Sequence, residues 1–233
     1  MKVSIIIPTL NEEKNIKKSL SSIRKQKFSG EFEIIVADGG SEDKTTTIAR
    51  KYADKIVTEH TRTIAAGRQA GAMVADGEIY VYTDADAVVQ KDWLENIVKP
   101  FENKEVVATY GWIVPLKGNK IEVFILKYLA LIVAYLSSII GFDYLAGSNM
   151  AIRASAFKKV GGMNIHLTTG EDIDIIKRVR KLGKVVFVPN AVVKYSMRRI
   201  RNWGYKKYFL FHAKNYFMTH FFNKSQTEYE PIR

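Results

Sequence analysis

The chain has 233 residues, of which 47% are hydrophobic and 26% are charged, and these proportions fit a folded globular protein rather than a disordered one. It contains no cysteine, which excludes a disulfide framework, a cysteine zinc site and a thiol nucleophile. The net charge of +12 favours an acidic partner such as phosphates, nucleic acid or an anionic membrane surface. Because no signal-peptide pattern precedes the first apolar run, we expect a cytoplasmic protein.

Short apolar runs alternate with helical segments through the first hundred residues. The apolar runs predict strands at 3–7, 32–37, 55–58, 79–83 and 106–110. Helices are predicted to open at 11–13 and to span 42–53, 61–75 and 92–101. This alternation predicts an α/β fold with a mostly parallel central sheet that is flanked by helices.

Polar clusters follow three of the predicted strands directly. Pro8 and Thr9 follow the first strand, Asp38 follows the second, and Asp84-Ala85-Asp86 follows the fourth. Ligands of such sheets bind beyond the carboxyl ends of the strands, so we expect the three clusters to line one edge. The alternative is that each aspartate only forms a turn.

Asp84 and Asp86 are two residues apart, so both side chains reach one cation if the preceding strand continues that far. Hard oxygen ligands suit Mg²⁺ or Mn²⁺, and these ions usually hold phosphates. The chain has no G-x-x-x-x-G-K-[ST] motif, and no G-x-G-x-x-G motif follows the first strand. A nucleotide is therefore not held by either of these glycine-rich loops.

Five segments together resemble the family 2 glycosyltransferases, whose fold is the Rossmann-like GT-A fold. The segments are residues 4–13, 36–45, 84–86, 147–153 and 171–174. The resemblance covers residues 3–195 and implies transfer of a sugar from a nucleoside diphosphate sugar to an acceptor, with inversion of the anomeric centre. We expect a catalytic domain at 1–195 and a basic, aromatic C-terminal extension at 196–233.

The resemblance places the nucleotide against Pro8, Thr9, Glu12 and Asp38. Asp38 would accept a hydrogen bond from the ring N–H of a uracil-type base, and Glu12 would accept from the ribose hydroxyls. Each has a plainer alternative, since Asp38 can form an Asx turn before Ser41 and Glu12 can serve the dipole of the first helix.

The resemblance also places a divalent metal ion on Asp86, with Asp84 on the ribose or on a metal-bound water. Arg68 would face the diphosphate, because the arginine fork matches phosphate oxygens, although it is alternatively a solvated helix charge. Some relatives add a histidine ligand where this chain has Lys194, whose ammonium can pair with phosphate instead. Strict dependence on Mg²⁺ or Mn²⁺ therefore stays open.

Asp172 is the predicted general base, because the dipole of the helix that begins there favours its ionised form. The alternative is that it only caps the helix, and a lipid phosphate acceptor would need no proton removed. The resemblance assigns the acceptor side to a further set of residues: Trp112, Gly147, Ser148, Asn149 and Glu171.

Two segments fall outside these motifs. Residues 121–142 are largely apolar, but their uncharged core, 128–142, is shorter than the roughly twenty residues of a membrane span. A buried or interfacial helix is therefore expected there. Residues 194–224 contain eight Lys or Arg, ten aromatic residues and no Asp or Glu. This composition predicts contact with an anionic membrane surface, whereas packing on the core or a dimer contact is the alternative.

We therefore expect a peripheral enzyme on the inner face of the membrane, with a lipid-linked or glycan acceptor and with its oligomeric state open. A polyprenyl-phosphate sugar synthase differs only in its acceptor. A sugar-nucleotide pyrophosphorylase is disfavoured because its glycine-rich basic loop is missing after Ile7. A basic nucleic-acid-binding module is the non-enzymatic alternative, but no nucleic-acid partner is expected.

Overall fold

The structure is a computed structural model that describes residues 1–139, 147–222 and 224–226. The strands are β1 (Lys2–Thr9), β2 (Glu31–Asp38), β3 (Lys55–Thr58), β4 (Ile79–Tyr82), β5 (Val88–Val89), β6 (Val106–Pro115), β7 (Met150–Arg153) and β8 (Lys184–Tyr195). The α-helices are α1 (Ile16–Arg24), α2 (Thr45–Ala49), α3 (Ile64–Met73), α4 (Trp93–Val98), α5 (Lys120–Ile139), α6 (Ala154–Lys159), α7 (Glu171–Val179), α8 (Arg198–Trp203) and α9 (Tyr205–Phe222).

The strands form one sheet in the order β3-β2-β1-β4-β7-β6-β8-β5. The first four strands of the chain are parallel, whereas β7 runs antiparallel to both of its neighbours, β4 and β6. The chain first builds outward from β1 to β2 and β3, and then returns to place β4 on the other side of β1. The predicted α/β class is confirmed, and the carboxyl ends of β1 and β4 form a topological switch point where ligands bind.

Helices cover both faces of the sheet. One apolar cluster joins the sheet to α1 and α4 through residues that include Leu20 and Trp93, and the other joins it to α3, α6 and α7. Ile5 and Ile7 belong to the first cluster, and Ile6 belongs to the second. Because successive strand residues point to opposite faces and both faces are buried, β1 reads as a continuous apolar run.

The glycines of α3 allow this helix to lie close to β1. A Cβ atom on Gly71 would come within 2.4 Å of the Ile6 Cγ2, and one on Gly67 would come within 2.9 Å of the Pro8 Cβ. The two glycines lower helix propensity, but the close approach that they permit brings Arg68 next to the carboxyl end of β1.

Several predicted boundaries were wrong because side chains near the strand ends serve loops instead of helices. The first helix begins at Ile16, since Asn11 adopts a left-handed φ of 54° that no helix continues. The second begins at Thr45, because the Ser41 hydroxyl binds Asp38 instead of capping a helix. β4 ends at Tyr82, so Asp84 and Asp86 lie on a loop and not on a continued strand.

The apolar segment forms α5, which packs against β6 and β8, although residues 140–142 of the predicted segment lie outside the described ranges. Within those ranges, no helix has the length and apolar character needed to cross a membrane. The basic, aromatic segment forms α8 and α9, and α9 packs on α7. The predicted division at residues 195 and 196 stays a prediction.

Candidate active site

A cavity of about 630 Å³ opens at the switch point between β1 and β4. Residues from five separate parts of the chain line it, including the start of α7 and the two C-terminal helices. Ten of the predicted site residues are among them: Pro8, Thr9, Glu12, Arg68, Asp84, Asp86, Gly147, Ser148, Glu171 and Asp172. The fold therefore brings together polar clusters that are far apart in the sequence.

Arg68 is the buried cation at the base of this cavity, with 2% of its surface exposed. Its guanidinium bonds the Glu171 Oε1 at 2.5 Å and the Asp84 Oδ1 at 3.1 Å. A Cβ atom on Gly147 would lie 2.2 Å from one of its terminal nitrogens, so only glycine leaves room for the side chain. Its Nε has no hydrogen-bond partner among the described residues. Arg68 is thus not the solvated helix charge of the alternative interpretation.

Glu171 is almost fully buried between Arg68 and the neighbouring Asp172. Burial is the main factor that raises its pKa, the Asp172 carboxylate raises it further, and Arg68 opposes both, with a resulting pKa of about 7. The single guanidinium therefore does not fully compensate the acidic groups around it, and Glu171 is able to carry a proton near neutral pH.

Asp172 is held at the start of α7 by backbone donors. Its Oδ2 accepts a hydrogen bond of 2.8 Å from the Gly147 N–H, and its Oδ1 accepts one of 2.8 Å from the Ile173 N–H. Both interactions favour the carboxylate over the neutral acid and fix its orientation at the cavity wall. Asp172 is thus an oriented acceptor for a proton.

Asp86 lies on the loop after β4, together with Asp84. Its pKa is raised to about 6, first by burial, then by the charges of Asp84 and Glu12, while Arg198 acts in the opposite direction. Among the described residues there is no cluster of three or more Asp, Glu, His or Cys side chains that is placed to hold a metal ion. These carboxylates fit Mg²⁺ or Mn²⁺ if phosphate and water oxygens complete the coordination shell.

Arg198 is the functional candidate that sequence reasoning missed, because it was counted among the charges of the C-terminal segment. It is the first residue of α8, and its guanidinium binds both Glu12 and Asp86. Lys194, which stands at the expected histidine position, is exposed on β8 opposite Val88. The only sequence signal for Arg198 was an arginine soon after the last strand.

Asp38 lies behind the cavity wall with 3% of its surface exposed. Its carboxylate accepts four hydrogen bonds, from the Thr9 and Ser41 hydroxyls and from the Gly40 and Ser41 N–H groups. This is the predicted Asx-type alternative, and it occupies the oxygens that a nucleobase N–H would need. The nucleotide-binding role of Asp38 stays a prediction that requires one of these donors to leave.

Two residues predicted for the acceptor side instead connect strands. The buried Asn149 donates hydrogen bonds to the Trp112 and Ala191 carbonyls and accepts one from the Trp93 Nε1. The Trp112 Nε1 donates to the Lys127 carbonyl of α5. Neither residue lines the cavity, whereas Gly147 and Ser148 do. An acceptor-side role for Trp112 and Asn149 therefore stays a prediction.

The helix α9 forms part of the cavity wall with Tyr208, His212 and Asn215. Burial, and to a lesser degree the charge of Arg199, lowers the pKa of His212 to about 4, so this imidazole is neutral at pH 7. The Asn215 Nδ2 donates to the Thr169 Oγ1 at 2.8 Å and ties α9 to the loop before α7.

Comparisons with known proteins agree with this arrangement. The family model described as Glycosyl transferase family 2 matches residues 4–161, which include β1, β4 and the Asp84–Asp86 loop but end before Asp172. The glycosyltransferase AglE of Haloferax volcanii is 27% identical over 192 residues, which are 78% of this chain and 62% of AglE.

Two solved structures show the same fold. The TarS 1-349 structure of S. aureus in complex with UDP has a TM-score of 0.65 at 20% identity and covers 87% of this chain. The mannosyltransferase PcManGT from Pyrobaculum calidifontis, in complex with GDP-Man and Mn²⁺, has a TM-score of 0.72 at 23% identity and covers 94%. The chain spans 62% of the length of each of these two structures. The predicted GT-A fold is confirmed, and the chain belongs to glycosyl transferase family 2.

Proposed function

We propose that this chain transfers a sugar from a nucleoside diphosphate sugar to an acceptor, with inversion of the anomeric centre. The observation that carries the proposal is the single cavity at the β1–β4 switch point. Acidic side chains from three distant parts of the chain meet there, and two arginines compensate them. This arrangement suits a bound cation, a diphosphate and a proton acceptor placed side by side.

The donor diphosphate would lie against the Asp84–Asp86 loop. Asp86 would hold Mg²⁺ or Mn²⁺, and such an ion stabilises the charge on the departing diphosphate by several kcal/mol. PcManGT, whose structure contains GDP-Man and Mn²⁺, supports this choice of cofactor. Arg68 would serve indirectly, because its ion pairs hold Asp84 and Glu171 in place.

Asp172 would act as the general base. The acceptor hydroxyl oxygen forms a bond to the anomeric carbon while the bond from that carbon to the diphosphate oxygen breaks. The diphosphate leaves with the electron pair, and the hydroxyl proton passes to the Asp172 carboxylate. The hydrogen bond from the Gly147 N–H keeps this carboxylate oriented during the step.

A lipid-linked acceptor is favoured by the surfaces of α5 and α9. Large apolar side chains of α5 such as Phe124 and Leu136 are exposed by 61% and 56% of their surface, and Leu210 of α9 by 61%. A patch of this kind marks a protein or membrane contact. The basic residues of 194–224, without any acidic residue, favour an anionic bilayer as that contact.

The same observation supports a polyprenyl-phosphate sugar synthase as the second candidate. A phosphate acceptor carries no proton that must be removed, so Asp172 would only orient the acceptor. The two candidates therefore differ in the effect that removal of the Asp172 charge has on the rate.

The experiment measures release of UDP or GDP from a panel of nucleotide sugars, together with nucleotide binding by thermal shift with and without Mn²⁺. Asp86→Asn should abolish the Mn²⁺-dependent part of the thermal shift. Asp172→Asn should keep nucleotide binding and lower the turnover rate by about 10²–10⁴-fold for a hydroxyl acceptor.

Asp174→Asn is the matched control, since Asp174 lies on the same helix and pairs with Arg178 instead of lining the cavity. It should leave the turnover rate near that of the wild type. Absence of any thermal shift with all nucleotides, in the presence of Mn²⁺, would refute the proposed function.

A further inference from the structure

The Arg198 guanidinium lies between carboxylates from two sides of the cavity. Its Nε is 3.1 Å from the Asp86 Oδ2, and its two terminal nitrogens bind the two Glu12 oxygens, one of them at 3.1 Å. Glu12 belongs to the loop after β1, and Asp86 belongs to the loop after β4. One arginine of α8 therefore bridges the two strand ends that form the switch point.

This position next to Asp86 is also where the divalent ion of the proposed reaction would bind. The charges of Asp84 and Glu12 surround Asp86, so a cation is needed there, and Arg198 supplies it. The Glu12 and Asp86 side chains are only 10% and 17% exposed, so solvent screens charges weakly at this place. Two cations on one such carboxylate would repel each other strongly.

We propose that Arg198 is a resident cation that competes with the divalent metal ion for Asp86, and that the donor diphosphate relieves this competition by pairing with Arg198. Arginine suits such an exchange, because its planar fork binds phosphate as readily as carboxylate. The inference rests on the proposed function. Its consequence is that the free protein binds metal weakly and that metal and nucleotide bind together.

The test measures the Mn²⁺ affinity of the full chain from the electron paramagnetic resonance signal of free Mn²⁺. Without nucleotide, Arg198→Gln should bind Mn²⁺ about tenfold more tightly than the wild type, because the competing charge is gone. Adding Asp86→Asn to this variant should abolish the gain. Arg201→Gln, which removes a charge from the same helix that pairs with Glu122, should behave like the wild type.

Two further measurements cover a loss of folding in Arg198→Gln. Arg198→Lys keeps a positive charge at this position and should bind Mn²⁺ as weakly as the wild type. In the wild type itself, UDP or GDP should increase the Mn²⁺ affinity about tenfold or more.

Equal or weaker Mn²⁺ binding by a folded Arg198→Gln chain would overturn the proposal. So would a wild-type Mn²⁺ affinity that does not change when UDP or GDP is bound. Failure of every nucleotide to bind would refute the proposed function instead, and the comparison without nucleotide would still decide the role of Arg198.

Discussion

Arg68 is the residue on which the acidic side of the cavity depends. Its charge is shared between Asp84 and Glu171, and Asp172 lies next to them, so the cluster holds more negative than positive charge. A buried carboxylate in such a cluster is held near neutrality only by a partner or by a proton. The raised pKa of Glu171 is the measurable consequence.

The pH dependence of stability should therefore contain a contribution from Glu171. Its pKa rises from 4.5 to about 7 on folding, so the folded chain holds this proton more tightly than the unfolded chain. The associated stability is complete below pH 4.5 and is lost as the pH rises to about 7. In Glu171→Gln, the free energy of unfolding should fall by about 1–3 kcal/mol less over this interval.

Denaturant unfolding at several pH values measures this difference. Glu102→Gln removes a carboxylate from an exposed position and should follow the wild-type curve. If Glu171→Gln also follows the wild-type curve, the buried carboxylate does not titrate in this range.

The residues themselves were predicted more successfully than their contacts. Ten predicted side chains line the cavity, because strand ends and a helix start were recognisable from apolar patterns and from the acidic motifs. The partner of Glu12 was not foreseeable, since Arg198 is 186 positions away along the chain. Nor was the saturation of Asp38, which depends on hydroxyl and N–H groups from two separate loops.

At the scale of elements, α9 presents an unusual distribution of side chains. The residues that it buries are the polar Asn215 and Thr219, whereas Leu210 and Phe217 are 61% and 54% exposed. A helix of a water-soluble surface shows the opposite pattern. This distribution supports an apolar environment outside α9, which agrees with the proposed membrane contact.

Leu210→Ser with Phe217→Ser should lower binding to vesicles that contain anionic phospholipid by about tenfold or more, because both apolar side chains are lost from one helix face. Co-sedimentation at low salt measures this binding. The exposed positions make a loss of folding unlikely to follow, and a thermal unfolding curve verifies it.

Ile165→Ser, at an exposed position outside α5 and α9, should leave vesicle binding unchanged. Binding by the double variant at the wild-type level would remove the support that α9 gives to a membrane contact.

At the scale of the whole molecule, the cavity requires both ends of the chain. β1 and β4 supply one wall, and α8 and α9 supply another, so the C-terminal segment contributes to the site directly. Arg198 and Asn215 join this segment to the loops after β1 and before α7. These contacts favour one cooperative unit over a catalytic domain with an independent extension.

A chain that ends at Tyr195 should therefore unfold at a lower temperature and should lose binding of UDP and GDP. The truncation removes the Arg198 bridge and uncovers Ile200 and Asn215, which are buried in the full chain. Thermal unfolding and calorimetric titration measure the two effects. A truncated chain with unchanged stability and nucleotide affinity would instead establish the predicted boundary at residue 195.

The sequence by itself determined the α/β class, the family and the acidic motifs, because apolar periodicity and short motifs are local properties of the chain. Tertiary structure alone decided which charges meet. It set Arg68 against Gly147, placed Arg198 on Asp86 and closed the cavity with α9. Such pairings depend on distances between residues far apart in the chain, and the sheet order that creates those distances appears only when the whole chain is folded.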